Sequence, residues 1–117
     1  MDCIFYIHCA DVQTILAALK SRFGASENNR STYRFRQFAC SLRRNMETDF
    51  NRLCTYPDGF LYYESIVDME IPENHVAVTA DILRVLWQNR IPAVVSCDYE
   101  QELNAYLFQQ KETGAYQ

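Results

Sequence analysis

The sequence predicts an α+β fold: one largely antiparallel sheet with two helices packed on one face, in the order β-α-β-β-(β)-β-α-β. Three observations lead there. Apolar residues recur at helical spacing in two segments, 12–23 and about 72–89. The segments around them are β-branched and aromatic, and several alternate with period two. Turn residues, Gly24 and the Pro-Asp-Gly at 57–59 above all, separate the runs. A length of 117 residues fits a single domain with its own core.

Residues 3–9, CIFYIHC, read as a first strand buried on both faces. Asp11 stands where an N-cap belongs, ahead of a stripe of Val12, Ile15, Leu16, Leu19 and Phe23. Gly24 then follows as the C-cap glycine. Residues 25–31 are polar and read as a loop. From 32 onward Tyr33 and Phe35 share one parity, while Phe38, Cys40 and Leu42 take the other. A bulge or tight turn near Gln37 accounts for that slip, because one extra residue flips every later side chain.

Residues 43–49 read as a turn, 50–56 as a short optional strand and 57–59 as a hairpin turn. Residues 60–70 form the next strand, with Leu61, Tyr63, Val67 and Met69 on one face and Tyr62, Glu64, Ile66, Asp68 and Glu70 on the other. Pro72 opens the second helix, with Glu73 and His75 in its first turn. Its apolar stripe covers more than half the girth, which requires deep burial or a partner. Residues 93–97 are a core strand, 99–107 a short helix and 108–117 a frayed tail.

The formal net charge is −4, against nucleic-acid binding, whose affinity comes mainly from neutralised phosphates. The charge is uneven: residues 1–57 carry +3 and residues 58–117 carry −7. Such asymmetry points either to an electrostatically chosen partner or to basic and acidic strands that neighbour each other. Arg34 and Arg36 fall on one strand face, where acids of the next strand would pair with them. The five cysteines have no C-x-x-C spacing, so neither a disulfide framework nor a zinc ribbon is indicated. The first residues lack a signal-peptide pattern and no apolar run is long enough to span a membrane, so a reducing cytoplasm is expected.

His8 and Cys9 are adjacent and would point to opposite faces of a strand, which disfavours a shared metal. No nucleophile signature accompanies the two histidines, and three glycines in the chain offer no phosphate cradle. No catalytic residue, metal or cofactor is therefore assigned. The acids and tyrosines of the second half remain: Tyr62, Glu64, Asp68, Asp98, Tyr99, Glu100 and Glu102. Rings supply contact area and carboxylates select a basic partner, so these seven are the candidate partner-binding residues.

Residues 58–104 join a Tyr-rich strand carrying acids, a helix of the form ILRxLW and an apolar strand that closes in CDYEQEL. This pattern is similar to small bacterial immunity proteins of polymorphic and contact-dependent growth-inhibition systems. The resemblance implies a cytoplasmic, non-catalytic protein whose partner is a cognate toxin domain, a nuclease being the natural basic one. It carries no binding residue of that family onto a numbered position. Two other readings stay open: an assembly subunit that homodimerises through the second helix, and a small enzyme that holds a divalent ion on its carboxylates.

Overall fold

The computed structural model describes residues 2–46 and 63–112, with side chains as far as Phe108. The described residues form one six-stranded antiparallel sheet and three helices. In chain order these are β1 (Asp2–Ile7), α1 (Val12–Phe23), β2 (Glu27–Asn29), β3 (Thr32–Arg34), β4 (Ala39–Arg44), β5 (Ser65–Glu70), α2 (His75–Gln88), β6 (Ala93–Ser96) and α3 (Glu100–Glu112). Across the sheet the order is β2-β3-β4-β5-β1-β6. With the β2–β3 hairpin set aside, the succession β1-α1-β4-β5-α2-β6 and the order β4-β5-β1-β6 are those of the split βαβ, ferredoxin-like arrangement.

Alternation decides which face of the sheet is covered. Cys3, Phe5 and Ile7 of β1 are buried, as are Cys40 and Leu42 of β4 and Val67 and Met69 of β5. All join one cluster with Ile15, Leu16 and Leu19 of α1, Ile82, Leu83 and Leu86 of α2 and Leu103 of α3. The helices thus share one face, and residues of the other parity look away from them. Ile4 and Tyr6 are half-buried rather than enclosed, so β1 is not buried on both faces as its composition suggests.

Local signals explain most boundaries. Asp11 caps α1, its Oδ1 accepting from the Gln13 amide at 3.0 Å and its Oδ2 from the Thr14 hydroxyl at 2.9 Å. Asp11→Ala is expected to cost about 1 kcal/mol of stability in urea unfolding, with Asp11→Asn close to wild type. Gly24 ends the helix at φ +84, and its amide bonds the Lys20 carbonyl at 3.0 Å. A Cβ there would meet nothing within 4 Å, so the requirement is the left-handed backbone and not space. The parity slip near Gln37 is a tight turn, closed by the Phe35 amide on the Phe38 carbonyl at 2.8 Å. The rings of Phe35 and Phe38 stack at 4.8 Å, and Phe23 meets Phe38 edge-on.

Several expectations are corrected. Residues 27–29 form a strand, not a loop: β2 is wholly exposed and pairs with β3 through its backbone, which leaves no hydrophobic period. Arg36 lies in the turn after β3, so it does not share a strand face with Arg34. Helix α2 begins at His75, leaving Pro72 and Glu73 in the preceding loop, and the left-handed Asn74 is its N-cap. His75 is half-buried and meets Tyr99 edge-on at 4.6 Å. The third helix outruns the short 99–107 segment, and carboxylates at Glu100 and Glu102 favour its N-terminal turn. The optional strand at 50–56, the turn at 57–59 and the start of the strand at 60–62 lie outside the described residues, as do 113–117.

The wide apolar girth of α2 is also explained. This helix is the middle one of its layer, between α1 and α3 and above the sheet. Seven of its residues are buried within the chain itself, including Thr79. A homodimer is not needed to account for them.

Candidate functional site

Strand register sets three rows of side chains across the face that no described helix covers. One row runs Thr32, Ser41, Asp68, Ile4, Ser96 from β3 to β6. The next runs Arg34, Ala39, Glu70, Asp2. A third holds Arg43, Ile66, Tyr6 and Val94. The first two rows, closed at one end by Cys97 and Asp98, line an open groove of about 600 Å³.

Four exposed carboxylates face that groove: Asp2, Asp68, Glu70 and Asp98. Asp2 and Glu70 are direct cross-strand partners, a like-charge pairing that costs stability in an antiparallel ladder. Asp68 is met from the side by Arg43, with Nε at 3.1 Å from Oδ2. Arg34 stands in the groove with no ion pair among the described residues. Thr32 and Ser41 bond each other through their hydroxyls at 3.1 Å. The arrangement is a shallow polar trough with excess negative charge, suited to cationic side chains.

Of the seven candidate residues, the fold brings only Asp68 and Asp98 into this groove. Tyr62 lies outside the described residues. Glu64 sits at the far end of β1, half-buried, with one oxygen 2.5 Å from Nδ1 of His8, whose ring stacks on Tyr63. Glu100 and Glu102 are exposed on the first turn of α3, and Glu100 also reaches back to the Cys97 amide at 3.4 Å. Tyr99 is removed from the surface altogether, at 2% exposure, with its hydroxyl 2.8 Å from that of Thr79. Its ring packs the end of the core and offers a partner no contact area.

Asp2 and Glu70 are the carboxylates that the candidate set lacks. Glu70 shares the parity of Asp68, so period two alone would have supplied it. Asp2 needed the β1–β5 register, which no local pattern encodes. Among the described residues, no three His, Cys, Asp or Glu side chains converge as a metal site, and no helix is long and apolar enough to cross a membrane. No protein-family model, curated protein or solved structure matches the chain significantly.

Proposed function

We propose that this chain is a non-catalytic binding protein that seats a basic surface of a partner on the open face of its sheet. The observation that carries the reading is the facing pair Asp2 and Glu70 in a groove that also holds Asp68 and Asp98. Like charges set side by side weaken the free protein, and a lysine or arginine from a partner relieves that repulsion on binding. Charge of this kind raises the association rate and rejects acidic competitors. The immunity-protein resemblance supplies the partner: a cognate toxin domain, with a nuclease favoured because its active site must attract phosphates. On this reading the protein works in the cytoplasm of a bacterium and masks that site.

Mixing the purified protein with the product of the adjacent upstream gene is expected to give a complex and loss of that product's toxicity. Glu70→Lys with Asp98→Lys is expected to weaken the complex about 100-fold, mostly through slower association and with a smaller salt dependence. Glu100→Lys with Glu102→Lys, outside the groove, is expected to change it by less than about threefold. No complex, or a complex indifferent to the first pair and sensitive to the second, sinks the proposal.

A further inference from the structure

The register of the β1–β6 ladder, continued one residue past its last pair, sets two cysteines against each other. That last pair is Ile4 with Ser96, and one further step sets Cys3 against Cys97. The hydrogen-bond phase of the ladder is known from its other end, where the His8 amide bonds the Pro92 carbonyl at 2.8 Å. Hydrogen-bonded and open pairs alternate along an antiparallel ladder, so Tyr6–Val94 and Ile4–Ser96 are bonded pairs and Cys3–Cys97 is an open one. The outward groups agree: the Ala93 carbonyl accepts from Trp87 Nε1, and the Cys97 amide turns to Glu100. At open pairs the Cα atoms lie about 4.5 Å apart and the side chains converge. Disulfides span Cα separations of about 4.4–6.8 Å.

We infer that Cys3 and Cys97 form a redox modification site, closing to a cross-strand disulfide when a low-molecular-weight disulfide oxidant is present. Both side chains lie on the core side, with Cys3 at 4% exposure and Cys97 half-buried against the same cluster. Each thiol is also held protonated, Cys3 at about 11 and Cys97 above its usual value, by burial first. Behind burial, the neighbouring Cys97 adds to the rise at Cys3. Other described cysteines are out of reach. Cys40 is two strands from Cys3, about 10 Å, and Cys9 lies past the far end of β1, about 19 Å away.

The chemistry balances in two exchanges. The Cys97 thiolate attacks one sulfur of oxidised glutathione, whose S–S bond breaks and releases a glutathione thiolate with the electron pair. The Cys3 thiolate then attacks the Cys97 sulfur and expels the second glutathione. The protein loses two protons and two electrons, and one oxidised glutathione becomes two thiols, which take up both protons. Because only thiolates attack, closure is slow at neutral pH and accelerates about tenfold per pH unit until the thiols ionise. The bond ties edge strand β6 and the start of α3 to the interior strand β1, beside Asp2 and Asp98 at the groove's end. Its formation does not depend on what that groove binds.

The full chain is incubated with oxidised glutathione at pH 7.5 and pH 9, quenched in acid, digested and mapped by mass spectrometry. The expected product lacks two hydrogens, links the Cys3 peptide to the Cys97 peptide, melts at higher temperature than the reduced protein and reverts with dithiothreitol. Cys97→Ser, a change at a half-buried site, is expected to fold and to yield no such link; wild-type mapping stands independently of that variant. Three outcomes overturn the inference: a different cysteine pair as the main link, a lasting glutathione adduct on Cys97 without a link, or a native chain still reduced at pH 9 while the urea-unfolded chain oxidises.

Discussion

Phe5→Ala is expected to lower the unfolding free energy by about 3–5 kcal/mol. Phe5 is fully buried at the middle of β1, which has β5 on one side and β6 on the other. Its direct cross-strand neighbours are Val67 and Val95, and Leu42 lies one strand further in the same row. Removing the ring leaves a cavity walled by strands on both sides and by the helical layer above, where little can collapse inward. A domain of this size holds roughly 5–15 kcal/mol in all, so the variant loses a large share and melts about 10–20 °C lower. Phe5→Leu keeps most of the volume and is expected to cost less than about 2 kcal/mol. Ile4→Ala, next door on the half-buried open face, is expected to cost under half the Phe5→Ala loss. Urea unfolding of the three variants checks the order; Ile4→Ala matching Phe5→Ala would mean that the two faces of β1 are equally enclosed.

Most of this architecture is written in short-range pattern. The α+β class, helices α1 and α2, the Asp11 and Gly24 caps and the turn that flips parity after Phe35 all follow from local residue choice. What escaped has no local signature. Strand β2 is Glu-Asn-Asn, three exposed polar residues recruited only by the backbone of β3. Asn74 starts α2 from a left-handed conformation, so the two residues after Pro72 belong to the crossing from sheet to helical layer.

The site divides the same way. Asp68 and Asp98 were recognisable as acids of a strand and of a strand's end, and both line the groove. Tyr99 sits in the same acidic run yet turns inward, because the chain rounds the end of β6 there and sends one side chain to the core. A run of five residues with alternating acids cannot announce which one the corner will bury. Glu100 and Glu102 then leave the sheet on α3, so adjacency in sequence became separation in space. Asp2 entered from the other end of the chain through register alone. Carboxylates 66 or more residues apart in sequence thus meet, and neighbours in sequence part.

Raising the pH from 8 to 10.5 is expected to remove about 4 kcal/mol of stability, through two thiols that the core keeps neutral. Burial pushes the Cys40 thiol up to about 12, and pushes Cys3 up to about 11 although the hydroxyls of Tyr99 and Thr79 pull part of the way back. Both are raised from an ordinary value of 9.0. Between pH 9 and those higher values the unfolded chain gives up protons that the folded chain retains, so the equilibrium shifts toward unfolding as pH rises. The stabilisation is complete below pH 9 and is lost through the folded-state values. Each thiol contributes about 2 kcal/mol by pH 10.5, at roughly 1.4 kcal/mol per pH unit. With both at 4% exposure or less, solvent screening takes little from that figure. Cys97 and Tyr99, also raised by burial, act in the same direction. Cys40→Ala should flatten the urea-midpoint profile above pH 9 by about half, whatever the small cavity does to its level at pH 7. A wild-type profile that stays flat to pH 10.5, or a Cys40→Ala profile of unchanged slope, would show that these thiols ionise without opening the core.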